Sequence, residues 1–320
     1  LDLVESAVAI AISVGGAAVY FVGVNRAIDV LPEERQNRVR PWAFVGPVLL
    51  FLTAFLIVPA LRTIYLSLFD RSGEFIWFRN YTDLFGDPDM RIVFRNNILW
   101  IVGVTTFSTL FGLLMAVLAD RIKLESLAKS LVFLPMAISF VGASVVWRFV
   151  YDSSRLADED QVGVLNALWV GLGNDPVAWL LQTPWNNFFL IVAMIWMQTG
   201  FSMVVLSSAI KGVPIELLEA ARIDGADEWK VFRHITIPSI AGTIAVVVTT
   251  TIILVLKVFD IVRVMTGGRD ETSVIANEMI DNIGDGRFEI AGALAVILFI
   301  AVIPILIYNV RRFRREEAMR

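Results

Sequence analysis

Seven long apolar runs alternate with shorter polar segments along the chain, at about 3–24, 42–67, 97–119, 130–151, 186–210, 240–262 and 290–310. Each meets the roughly 20 residues that a helix needs to cross a bilayer. The pattern predicts an all-α, polytopic membrane chain. One polar stretch carries a helical pattern of its own: Lys211–Pro238, KGVPIELLEAARIDGADEWKVFRHITIP. Pro214 suits a first helical turn, where its missing N–H costs nothing. Ile215, Leu218 and Ala221 recur at three-residue steps, with Leu217 one turn before Ala221, and predict an apolar side. Glu216 and Glu219 take another side. Gly225 is a natural helix stop, because glycine accepts the left-handed conformation after a last turn. Asp227 and Glu228 favour the positive end of a second short helix. Pro238 marks the expected end of the segment and the start of the next span. The reading is helix, glycine turn, helix: an elbow between two spans.

Composition agrees with the pattern. Apolar residues make up 57% of the sequence and the mean hydropathy is +0.71, against the roughly 45–50% apolar content of soluble domains. With a net charge of −4 and no basic domain set apart, nothing points to nucleic acid as a partner. There is no cysteine, which excludes disulfides, thiol catalysis and thiolate metal sites. The single histidine, His234, removes any multi-histidine metal site and reads as a solvated residue of the elbow. No phosphate-binding P-loop and no GxSxG elbow is present, so any ATP must be handled by another chain.

The bias of lysine and arginine sets the orientation. Arg26, Arg35, Arg38 and Arg40 fall in 25–41; Arg121, Lys123 and Lys129 in 120–129; Lys211, Arg222, Lys230 and Arg233 in the elbow; Arg311, Arg312, Arg314, Arg315 and Arg320 in the tail. Segment 152–185 instead carries Asp152, Asp158, Glu159, Asp160 and Asp175 against Arg155. The expected topology has the N-terminus outside, and the elbow and C-terminus inside. Segment 68–95, with four arginines, fits least well. The first run has no basic leader and is read as a retained helix rather than a signal peptide.

Glu219-Ala220-Ala221, three residues, Gly225, nine residues, and Ile235-x-Ile237-Pro238 resemble the EAA loop of ABC-importer permeases. Ile237 stands where that family has leucine. The wider pattern is similar to the carbohydrate-uptake, maltose-type class from about residue 42 onward. It includes Phe78-x-Asn80-Tyr81-x-x-Leu84-Phe85, Gly142-Ala143, Trp147-Arg148-Phe149-Val150-Tyr151, Gly163-x-Leu165-Asn166 and Val255-Leu256-Lys257-Val258-Phe259-Asp260. Within that class it looks most like permeases for α-glucosides. The resemblance implies a bacterial or archaeal cytoplasmic membrane and a six-helix permease core. The extra N-terminal helix resembles the larger partner of such permease pairs. The implied divisions are 1–41 (first helix and cytoplasmic linker), 42–310 (core, with the elbow at 211–238) and 311–320 (basic cytoplasmic tail). The implied partners are a homologous second permease, two ATPase subunits holding ATP and magnesium, an extracytoplasmic sugar-binding protein, and lipid; no cofactor is expected on this chain. Glu219, Ala220, Ala221, Asp224, Gly225 and Pro238 would be the coupling set that docks on the ATPase.

Polar groups inside the apolar runs supply the candidates for the substrate pathway, because a charge at mid-bilayer costs roughly 2.5–3.5 kcal/mol on insertion scales. Lys257 and Asp260, three apart, are expected to share a helix face and can pair. They read either as a structural ion pair or as a cavity lining that meets sugar hydroxyls. The following Met265-Thr266-Gly267-Gly268 resembles the external turn of sugar permeases, with Arg269 and Asp270 where the family has glycine and proline. Gln198 and Ser202, beside Trp196, read either as the amide, hydroxyl and ring chemistry that holds a sugar or as helix–helix packing. Thr199 and Gly200 read as helix packing. Arg148 is expected to snorkel. Asn277 and Asn282 read as facing either the pore or the external loop. Trp77, Phe78, Tyr81, Leu84 and Phe85 read as an interfacial belt or a partner contact. A different class, an ion-coupled secondary transporter of a small polar solute, would need intramembrane carboxylates and repeated halves. Asp260 is the one such carboxylate in view, and the halves do not look alike. A membrane enzyme lacks an acid–base constellation in the spans.

Overall fold

The computed structural model describes residues 3–120, 122–153 and 163–318. Arg121, Arg155, Asp158, Glu159, Asp160 and Arg320, used above for the charge pattern, lie outside the described residues. Two compact units divide after Tyr65, not at residue 41.

The first unit is a helical hairpin. Helix α1 (Leu3–Asp29) turns at Leu31 and Pro32 into α2 (Glu33–Leu52). Helix α2 continues through a π turn at Thr53–Ile57 into α3 (Val58–Leu66), so one helix runs from Glu33 to Leu66. The stretch 25–41, expected to be a linker, is the end of α1 and the beginning of α2. The two arms meet through Arg40 and Asp29 at 2.7 Å, the Tyr20 hydroxyl on the Ala43 carbonyl at 2.6 Å, and the stacked rings of Phe21 and Phe44.

The second unit begins with α4 (Arg79–Gly86) and α5 (Pro88–Ala119), followed by α6 (Glu125–Phe133), α7 (Phe140–Val150) and α8 (Val164–Gly171). Then come α9 (Asn186–Lys211), α10 (Ile215–Ile223), α11 (Glu228–Val231), α12 (Ile237–Leu256), α13 (Asp260–Met265), α14 (Ile275–Gly284) and α15 (Phe288–Ala318). Helix α9 is the innermost. It packs along α5 and is flanked by α12, α6 and α13. Trp100, Val104, Leu190, Met194, Ile261 and Val262 form the centre of the core. Two glycines let the backbones close. A Cβ built on Gly112 of α5 would lie 2.8 Å from the Met203 nitrogen of α9, and one on Gly200 would lie 2.7 Å from the Val132 carbonyl of α6. Thr199 donates to Ile195 O within α9. The packing reading of Gly200 and Thr199 therefore fits their surroundings.

Among the described residues six helices are long and apolar enough to cross a membrane. The seventh expected span, 130–151, is instead a bent pair: α6 with its 3-10 extension meets α7 at 101°. Pro135 sits in the 3-10 turn, and the Ser139 side chain caps a new helix by accepting from Gly142 N at 3.0 Å. The 11 residues of α7 cover about 17 Å at the helical rise, short of the bilayer's hydrocarbon core. The run 240–262 is broken too, because α12 stops at Leu256 and α13 starts at Asp260.

Pro238 stands in the first turn of α12, yet it does not part the elbow from the span. It ends nothing: one helix runs from Glu228 to Leu256, with a π turn at Phe232–Thr236 just before it. Pro59 stands in the same relation to the π turn at Thr53–Ile57. A proline lacks its N–H and its ring crowds the carbonyl four residues back, here Phe55 or His234. Widening that turn absorbs the crowding without breaking the helix.

Candidate functional site

The elbow is built as its residues require. Pro214 is the residue just before α10, not within its first turn. Helix α10 ends in a paired-bond cap: Ala226 N donates to Ala221 O at 3.0 Å and Gly225 N to Arg222 O at 3.1 Å, with Gly225 at φ +84°. This is the left-handed closure in which glycine has no Cβ penalty. Asp227 then caps α11, its carboxylate accepting from Lys230 N at 2.8 Å. That backbone N–H holds the Asp227 carboxyl below the usual carboxylate range. Arg222 bridges the turn, donating to both Glu228 oxygens at 2.8 and 3.3 Å, and this pairing raises its pKa. Because α11 is the first turn of the helix Glu228–Leu256, the elbow is continuous with a membrane span.

The apolar side of α10 turns out differently from its spacing. Leu218 and Ala221 are half-buried, whereas Ile215, Leu217 and Ile223 are exposed. A cavity of about 570 Å³ lies beneath Leu218, between α10, α5 and Phe232. Caps and the Arg222–Glu228 pair hold α10, with little packing from below. Glu219, Ala220, Asp224 and Gly225 are exposed together on the same protrusion, with Ala221 half-buried; Pro238 lies up the span, beyond the π turn. His234 is exposed, with Nδ1 3.1 Å from the Lys230 carbonyl.

Just above the elbow, an ion network ties three helices. Lys129 Nζ reaches Asp120 at 2.5 Å, Glu125 at 2.6 Å and the Ser207 hydroxyl; Ser207 donates to Asp120, and Lys211 pairs with Glu125. In the sequence Lys129 and Lys211 counted only as topology charges.

The five pathway candidates are not brought together. No hydrogen bond or ion pair joins any two of them among the described residues. Ser202 is fully buried in the α5–α9 seam against Gly112, and its hydroxyl has no hydrogen-bond partner in the structure. Gln198 is buried on α9, and Trp196 packs edge-on against Trp147 at 5.8 Å. Lys257 and Asp260 do not share a helix face, because the backbone unwinds at Lys257–Phe259, and they form no ion pair. Lys257 is exposed at the break and Asp260 is half-buried at the start of α13. Asn277 is buried on α14, donating to Ser273 at 3.1 Å and Asp281 at 3.0 Å. Asn282, also buried, donates to Glu278 O at 2.8 Å. Arg148 is exposed and reaches the Val264 carbonyl at 3.4 Å.

Asparagines explain several of the motifs. Asn80 donates to the Ser67 and Phe69 carbonyls at 2.8 Å each, so its aromatic segment is folded back on the chain that precedes it. Trp77, Phe78 and Phe85 remain exposed, while Leu84 is buried. Asn166 donates to Asp152 O and Val177 O, and accepts from Val177 N. A further set escaped the sequence reading: Asn96 and Asn97 on α5, and Asn186 and Asn187 at the start of α9. All four are buried; Asn96, Asn186 and Asn187 bind the backbone of the turn after Thr266, and Asn97 binds the Leu256 carbonyl and Ile275 N on either side of it. The available signal was two adjacent asparagine pairs at the edges of long apolar runs.

The second unit is thus a helical membrane unit with a protruding elbow continuous with one span. The chain belongs to the family of binding-protein-dependent transport system inner membrane components, whose pattern matches residues 108–316. It is a multi-pass transport subunit rather than an enzyme. It is 53% identical to the osmoprotective compounds uptake permease protein GgtC of Synechocystis sp., over 87% of this chain and 100% of that one. It is 47% identical to the alpha-glucoside transport system permease protein AglF of Rhizobium meliloti, over 94% of each. Its fold is shared with a bacterial ABC transporter involved in the import of the acidic polysaccharide alginate, at a TM-score of 0.76 and 23% identity over 88% of this chain and 99% of that one.

Proposed function

We propose that this chain is the permease subunit of an ATP-driven, binding-protein-dependent sugar importer, and that its substrate is an α-glucoside. The observation that supports coupling is the elbow: an exposed helix held by its own caps and continuous with the Glu228–Leu256 span. Glu219, Ala220, Ala221, Asp224 and Gly225 form the docking face for an ATPase subunit, and Pro238 marks where the lever enters the membrane. ATP and magnesium reside on the ATPase pair. A homologous second permease completes the pathway, and an extracytoplasmic binding protein delivers the sugar. The N-terminus is outside, and the elbow and C-terminus are inside. ATP-driven closure displaces the elbow and shifts the permease between inward- and outward-facing states, which requires elbow contacts that differ between the two. The substrate class is supported by the alpha-glucoside relative, which matches the chain almost end to end. Among the pathway candidates, Lys257 and Asp260 at the unwound break are the best placed to meet sugar hydroxyls, since non-helical backbone at membrane depth is tolerated only where it lines a cavity or is buried in protein.

The test is purification of the tagged chain with its native neighbours in gentle detergent, followed by ATPase and uptake assays with a sugar panel and the binding protein. Retention of a second permease and an ATPase, with turnover stimulated by α-glucosides over β-linked sugars, is the expected result. Stimulation by another sugar class would move the substrate assignment. A chain that purifies alone would remove the proposed assembly.

A further inference from the structure

Where α12 stops at Leu256, buried backbone is left without its helical partners. The same happens where α14 starts at Ile275. One side chain serves both ends. Asn97 Nδ2 donates to the Leu256 carbonyl at 3.3 Å, and Asn97 Oδ1 accepts from Ile275 N at 2.8 Å. An amide carries its donor and its acceptor on separate atoms of one short, uncharged side chain, so it can serve two backbone groups at once. The intervening turn is held in the same way. Asn96 donates to Glu271 O at 2.7 Å and Ser273 O at 2.9 Å, Asn186 to Asp270 O at 2.5 Å, and Asn187 to Glu271 O at 3.0 Å. Asn187 also accepts from the Trp100 indole at 3.3 Å. Two of the three carbonyls so held, those of Asp270 and Glu271, belong to residues at φ +53° and +59°. Non-glycine residues stay in that region only where the surroundings over-determine it.

We propose that Asn96, Asn97, Asn186 and Asn187 are positioning residues for transport. They fuse the turn at 266–275 to α5 and α9 as one rigid body, and Asn97 pins the end of the Glu228–Leu256 lever to that body at Leu256, as its pivot. Lys257–Phe259 then becomes the hinge at which motion of the Glu228–Leu256 lever is delivered. This rests on the importer reading, under which the elbow drives that lever. An unbound turn would move with the lever and dissipate its stroke. A bound one makes the backbone at Lys257 and Asp260 change instead.

The chain has no cysteine, so paired cysteines are clean reporters. Arg95 and Glu271, whose side chains meet at 3.5 Å across the fused body, are replaced together (Arg95→Cys with Glu271→Cys) and joined by a short bifunctional thiol reagent. The complex, with cysteine-free partner subunits, is reconstituted in liposomes. Uptake is expected to stay within about twofold of the unjoined protein, since two parts of one body need not separate in the cycle. Asn97→Asp keeps the acceptor for Ile275 N and loses the donor to Leu256 O. It is expected to lower sugar carried per ATP hydrolysed by about tenfold while ATP hydrolysis continues. Loss of uptake on joining 95 to 271 overturns the proposal. So does an Asn97→Asp protein that keeps the wild-type ratio, or one that loses hydrolysis and uptake in parallel. If Asn97→Asp fails to assemble, the joined pair decides. Absence of ATP-coupled uptake in the unmodified complex would instead strike the importer reading itself.

Discussion

Gly225 sets the shape of the elbow through its backbone alone. A Cβ there would meet nothing within 4 Å, so the penalty for alanine is purely conformational, about 1–2 kcal/mol for a left-handed residue. Gly225→Ala should therefore lower the thermal midpoint modestly and leave transport measurable. Gly225→Pro cannot adopt a φ of +84°, and should abolish sugar uptake while the protein still inserts and ATP hydrolysis persists. Glu219→Ala, which removes an exposed carboxylate from the same protrusion, should uncouple in the same way. Wild-type uptake by either variant would exclude the coupling role. Asp227 makes a pH-dependent contribution. Its carboxyl is held low by the Lys230 N–H, so the cap is complete above the unfolded value of about 3.9. It is lost as pH falls through the lower folded value. Amide-exchange protection at Lys230 should decline on acidification below about pH 4. Asp227→Asn caps without a charge and should flatten that dependence; an unchanged profile would exclude the cap as its source.

At the scale of elements, α9 owes its central place to small residues facing its neighbours. Gly112→Val would drive side-chain carbon into the Ser202–Met203 backbone. Overpacking of this kind costs typically 1–3 kcal/mol, and a lowered midpoint in detergent thermal unfolding should report it. An unchanged midpoint would mean that the seam opens without cost. Element type was readable here, and element continuity was not. Seven apolar runs were visible, and each contains helix. The run at 130–151 bends because Pro135 and the Ser139 cap act locally, and hydropathy does not record either. Pro238 misled in the other direction, since a π turn one step earlier removes the clash that would have ended the helix.

For the whole molecule, the charge pattern and the elbow together predict a topology that single cysteines can test in the cysteine-free chain. Glu216→Cys, on the elbow, should react with an impermeant thiol reagent only from the cytoplasmic side. Asp285→Cys, after α14, should react only from the opposite side. Reversed labelling would invert the orientation. The elbow was legible because its parts are local: a helix, a left-handed glycine and a cap lie within about twenty residues, and each follows from its neighbours in sequence. The pathway candidates were legible only as residue types. Ser202 and Asn277 carry polar groups in apolar runs, and the fold buries both, one against Gly112 and the other between Ser273 and Asp281.

The sequence by itself determined the membrane class, the helical periodicity, the elbow and the family resemblance, because hydrophobic run length, glycine conformation and caps act over short stretches of chain. Only the tertiary structure decided where the spans break and what holds the breaks. Asn97 and Leu256 are far apart along the chain, as are Asn186 and Asp270. A side-chain amide takes its partner from whatever backbone the packing leaves unpaired, and that is settled only when α5, α9 and α12 are brought together.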